Sequence, residues 1–179
     1  MNTVIGDEVM KKIVTLPLLF LIILLNTTTV HSSPSLSNKD IISISTEVLD
    51  SMLQDQTVLT DKSYIAIDLS TEPFKSLSAS EKLQVLNHMK KYDINHINVI
   101  ASSTNDLRNK GMFDKDNNLN FNGIKGIHLS ITSMDILKNN EVSVLGRWYC
   151  GPKSTQDIKV ALINTEGKWK VKEITKVKD

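Results

Sequence analysis

The residues best suited to recognition fall in one run, Gly146-Arg147-Trp148-Tyr149-Cys150-Gly151-Pro152. It holds one of two arginines, one of two tryptophans, one of three tyrosines and the only cysteine. Arg, Trp and Tyr are the side chains that concentrate binding energy at interfaces, because each offers a large rigid surface with a polar end. Side chains alternate along a strand, so Arg147 and Tyr149 share one face and Trp148 takes the other. Arg147 and Tyr149 are the candidate binding surface. The plainer alternative makes Trp148 core and leaves the other two as cover for the outer face.

Catalytic and metal signals are sparse. His88, His96 and His128 show no H-x-x-x-H spacing, and no Cys lies near them, so they read as surface or edge histidines. Asp114-Lys115-Asp116-Asn117-Asn118 begins like a calcium loop. Leu119 then stands where a glycine is required and Lys125 where a bidentate glutamate is required. A solvated Asn/Asp loop is the better reading. No nucleophile elbow, phosphate loop or dinucleotide fingerprint occurs. Asp68, Glu72 and Glu141 could serve as paired carboxylates, but their spacing singles out none of them. Cys150 is either a buried small hydrophobe or the partner of another chain. No catalytic residue, metal ligand or cofactor-binding residue is assigned.

What must position any site begins with a leader. Lys11 and Lys12 precede 13 apolar residues, Ile13 to Leu25, then Asn26-Thr27-Thr28-Thr29. That is the layout of a secretory signal peptide, with cleavage expected after Ser32 and Met10 as an alternative start of translation. The apolar run falls short of the roughly 20 residues that span a bilayer. Stable membrane insertion is therefore not expected once the leader is gone. The formal charge of the chain is +1, which removes the electrostatic drive toward nucleic acid. Lys outnumbers Arg 19 to 2, so guanidinium forks are scarce.

Beyond a short Ser-rich linker at 33–37, residues 38–179 read as one α+β domain. Ser37 with Asp40, Ser78 with Glu81 and Ser103 with Asp106 have capping-box spacing. They predict helices at 38–55, 79–91 and 104–110, with Leu83, Leu86 and Met89 as the apolar face of the second. Gly111 suits the position after the third helix, where positive φ is favoured. Strands are predicted at 63–69 and 96–100. From Gly123 onward four alternating segments with short turns imply an antiparallel meander. Val142, Val144, Gly146, Trp148 and Cys150 form its apolar face, with Trp169 and Val171 on the last strand. The expected fold is therefore N-terminal helices packed on a curved antiparallel sheet of four to five strands.

The run Thr165-Glu166-Gly167-Lys168-Trp169-Lys170-Val171 resembles the last hairpin of small exported bacterial NTF2-like (cystatin-like) domains. The resemblance covers the last 35 residues or so. It implies a curved sheet around a pocket and carries no catalytic residue. The function expected from size, export and missing chemistry is non-catalytic binding of a protein or small ligand, in the periplasm or outside the cell. An inhibitor or immunity role would fit. A small envelope hydrolase and an accessory subunit of an envelope secretion machine are the alternatives.

Overall fold

The computed structural model describes residues 35–93, 97–138 and 140–177. The leader, residues 33–34, His96 and Asn139 lie outside them, and with them the expectations placed there. The described residues form one compact unit.

Helix α1 spans Asn38–Met52. Ser37 Oγ accepts the Asp40 amide and the Asp40 carboxylate accepts the Ser37 amide, both at 3.2 Å, so the capping box forms. The helix stops before the predicted 55 because Asp55 caps a separate 3₁₀ turn, Gln56–Leu59. Ile44, Val48, Leu49 and Met52 recur at three- and four-residue spacing and are buried, as one face of a helix packed on a sheet should be. Helix α2, Ala79–Met89, buries Val85 and Met89. Leu83, placed on its apolar face by the sequence, is 51% exposed. The helix is rolled so that the 85/89 pair faces inward. Helix α3 is short, Thr104–Asn109. Its end is a full Schellman turn, with Met112 N–H donating to Leu107 O and Gly111 N–H to Arg108 O. Gly111 has φ +67°, the left-handed conformation this turn needs.

Strands β1 (Tyr64–Ile67), β2 (Asn98–Ala101), β3 (Asn120–Phe121), β4 (Ile124–Lys138), β5 (Glu141–Gly151), β6 (Ser154–Thr165) and β7 (Lys168–Val177) form one sheet. Its order is β2-β1-β4-β5-β6-β7, with β3 pairing to β4. The meander β4 to β7 is antiparallel, as expected. The sheet as a whole is mixed, because β1 pairs parallel to both β2 and β4. The expectation of four to five antiparallel strands is corrected on both counts. The two short N-terminal strands join through crossovers rather than hairpins, and crossovers make parallel neighbours.

One face of the sheet carries Ile65, Ile67, Ile127, Leu129, Ile131, Val142, Val144, Val160, Leu162 and Trp169, packed with α1 and α2 in the main core. A bulge at Thr132 shifts the β4–β5 register. It moves the inward phase from odd positions (Ile127, Leu129, Ile131) to even ones (Met134, Ile136), so the apolar stripe continues. Gly146 sits beneath α1, where a Cβ would lie 2.0 Å from Met52 Cε. The opposite face carries a smaller core of Tyr64, Ala66, Leu107 and Leu119. Residues 114–122, expected to be a solvated loop, dock here through buried Leu119 and contribute β3.

Candidate functional site

Strand β1 lies between β2 and β4, all three parallel. The connection out of β1 runs through α2 on the main-core face. The connection out of β2 runs through α3 on the other face. Chain that departs to both sides of one strand on opposite faces leaves a crevice at the strand's carboxyl end, the usual ligand position in open parallel sheets. A cleft of about 590 Å³ opens there, on the α3 side.

Each wall has a distinct chemistry. Asp68 follows β1 directly and is 8% exposed. Its Oδ1 accepts the Ser70 amide at 2.9 Å and the Ser70 hydroxyl at 2.6 Å. Glu72 lies on the same side of the cleft and is exposed. The floor comes from β4, where His128 and Ser130 point away from the main core. The far wall comes from β5, where Arg147 and Tyr149 stand opposite Ser130 and His128 in register. Arg147 forks onto Asp157 of β6 through Nε and Nη2, the latter at 2.6 Å from Oδ2. That pairing fixes the guanidinium plane.

The Asn/Asp loop holds this wall in place. Asp114 Oδ1 accepts the amides of Asp116 and Asn118, each at 2.9 Å. The turn puts Asn117 at φ +62°, where Asn is tolerated. Asn117 O then accepts the Tyr149 hydroxyl at 2.7 Å, and Asn117 Oδ1 accepts Arg108 Nη1 at 3.2 Å. Arg108 lies 4.5 Å over the Phe113 ring, and that ring meets Tyr149 at 6.3 Å between centroids. Arg108 of α3 is thereby carried over to the β5 side.

His128 is the most unusual group. The sequence places it at a surface or edge, but it is 6% exposed. Ala66 lies beside it on β1 and Tyr149 on β5. Burial pushes the imidazole pKa down, and the Asp68 charge and the Ser102 backbone only partly offset this. Nε2 has no hydrogen-bond partner among the described residues, and a buried polar atom left unpaired is costly. Because the folded-state pKa is lowered, His128 contributes stability that is complete above the ordinary imidazole value of about 6.5. That contribution is lost as pH falls through 6.5 toward the folded value. Urea unfolding at pH 7.5 and pH 5 is expected to show a smaller acid loss for His128→Gln than for the native chain. Equal losses would contradict the assignment of His128 as a buried neutral imidazole.

The cleft brings Arg147 and Tyr149 together with Asp68, Glu72 and His128. Both arginines of the chain line it, since Arg108 is the second. The other groups noted in the sequence lie elsewhere. Glu141 pairs with Lys172 at 3.2 Å. His88 joins Asp50 at 2.9 Å. Cys150 is half-buried and does not line the cleft, and burial raises its thiol pKa, which disfavours a thiolate. Lys125 reaches back to Asp61 at 2.7 Å. No group of three metal-ligating side chains occurs among the described residues. No helix among them is long and apolar enough to cross a membrane. Arg108 and Phe113 carried no sequence signal of their own. Asp114-x-Asp116-x-Asn118 did, as a turn former. No family model matches the chain, and neither curated proteins nor solved structures give a match.

Proposed function

We propose that this protein is an exported, non-catalytic binding domain, periplasmic or secreted, whose site for a small polar ligand is the cleft at the carboxyl end of β1. The observation that carries the reading is the cleft of about 590 Å³ at the carboxyl end of β1, which gathers Asp68, Glu72, Arg108, His128, Arg147 and Tyr149. The volume lies within the 300–1,000 Å³ or so typical of small-molecule sites. The leader layout supports export.

Native mass spectrometry of the protein recovered from its host's exported fraction tests both halves. The expected spectrum shows a chain beginning near Ser33 with a non-covalent small-molecule adduct that His128→Gln weakens. An intact leader on a membrane-bound chain would overturn export. A stoichiometric protein partner covering the cleft would replace the small-ligand reading.

One observation favours the alternative of a small envelope hydrolase. The charge of Asp68 acts on His128, and a carboxylate beside a neutral imidazole is the relation between an orienting acid and a general base. Turnover of the retained molecule, lost in His128→Gln, would decide for that alternative.

A further inference from the structure

Resting on the small-ligand reading, we infer that the cleft is built for a zwitterion the size of a two- or three-residue peptide, its ammonium toward Asp68 and Glu72 and its carboxylate toward Arg108. Asp68 and Glu72 belong to β1 and the chain just after it, and Arg147 and Tyr149 to β5. Strand β4, with His128, lies between them. Two carboxylates thus face Arg108 and an Arg147 whose charge Asp157 already compensates. A simple anion would meet Asp68 and Glu72, and a simple cation would meet the arginines. A ligand carrying both charges, one at each end, meets an opposite charge at each wall.

The spacing sets the length. Neighbouring strands lie about 4.8 Å apart, so the β1 and β5 backbones are separated by about 10 Å across the floor. An extended chain covers at most about 3.3–3.6 Å per residue, so two to three residues span the floor. His128 supplies the middle. Its imidazole lines the cleft between the two walls, where an uncharged polar group is suited, and a peptide bond offers one donor and one acceptor. Arginine at the carboxylate end is also informative. Lysine occupies 19 of the 21 basic positions in the chain, yet both arginines line this one cleft. Guanidinium is the cation that matches a carboxylate plane in a two-bond fork. Arg147 is already forked onto Asp157 and fixes the wall. Arg108, stacked on Phe113, is the group that takes the ligand's carboxylate.

The test titrates the exported chain with Ala-Ala-Ala, its N-acetyl form, its C-terminal amide, succinate and N-acetylglucosamine. Amide and Arg Nε NMR signals locate each probe, and calorimetry gives its affinity. Ala-Ala-Ala is expected to perturb the signals of His128, Tyr149 and Arg108. Blocking either end should weaken binding about tenfold or more, since each block strands a charged partner. Glu72→Gln should reduce the penalty for acetylation, with Asp68 keeping the rest, and Arg108→Gln should remove the penalty for amidation. Both residues are exposed, so unchanged melting curves will show that the variants fold. Equal binding of blocked and free peptides overturns the inference. Cleft signals moved by succinate or N-acetylglucosamine but not by the peptide overturn it while leaving the small-ligand reading standing. Silence of all five probes, with no adduct on the exported protein, overturns both.

Discussion

Replacing Trp169 with alanine is expected to destabilise the fold by about 3–5 kcal/mol, the range for a large buried aromatic. At roughly 2–4 °C per kcal/mol for a domain of this size, the melting temperature should fall by roughly 6–20 °C. Trp169 is 6% exposed and belongs to the main core with Ile44, Val48 and Leu162. It stands on β7, the last strand of the sheet. Its Nε1–H donates to Asp40 Oδ1 at 2.8 Å, across 129 positions of chain. Asp40 Oδ2 meanwhile serves the α1 capping box. One carboxylate thus ties the start of the first helix to the final strand. Trp169→Phe keeps most of the ring and loses that bond, so about 1–2 kcal/mol is expected. Chemical denaturation of the three proteins is the measurement. A loss under about 1 kcal/mol for the alanine variant would place the ring outside the core.

The same bond bears on acid stability. Hydrogen bonds from Ser37 and then Trp169 hold the Asp40 carboxyl below the usual carboxylate range. A lowered carboxyl pKa gives stability that is present above the unfolded value of about 3.9 and is lost as pH falls through the folded one. The Trp169 part of that acid sensitivity should vanish in Trp169→Phe while the Ser37 part remains.

Elements whose signals are local were legible in the sequence. The three capping boxes formed, because Ser and an acid three residues later satisfy the same helix end whatever surrounds them. The face carrying Val142, Val144 and Gly146 turned inward, because a period of two is enough to sort a long strand. Direction was not legible in β1 and β2. Four-residue strands look the same whether paired parallel or antiparallel, and the choice is made by crossovers through α2 and α3. Half of the site shared that fate. Arg147 and Tyr149 were found because both sit on one strand. Asp68, Arg108 and His128 reach the cleft from three separate elements, and only the folded order β2-β1-β4-β5 brings them together. His128 sits in Ile127-His128-Leu129-Ser130-Ile131, a pattern equally suited to a strand with one wet face. Whether that face is wet depends on α3 and the 111–119 segment folding over it.

The close approach of β1 and β4 behind the cleft gives the other large effect. Gly126→Ala is expected to destabilise the protein by about 1–3 kcal/mol, the cost of overpacking a filled core. Gly126 stands opposite Tyr64 in the parallel register. A Cβ there would lie 2.0, 2.2 and 2.5 Å from three atoms of the Tyr64 ring. Gly146 offers an instructive contrast, because the obstacle there is the flexible end of Met52, which can swing aside. Tyr64 is rigid, 5% exposed, and packed with Ala66, Leu107 and Leu119. A methyl at 126 must therefore displace the ring and, through it, α3 and the Leu119 segment. These same pieces carry Arg108 and Phe113, so the variant should also loosen the cleft wall and weaken any ligand that contacts Arg108. A double-mutant cycle separates the cause from general damage. In a Tyr64→Ala background the added methyl meets open space, and Gly126→Ala should become nearly neutral. If its effect is as large there as in the native background, the Tyr64 ring is not what keeps position 126 a glycine.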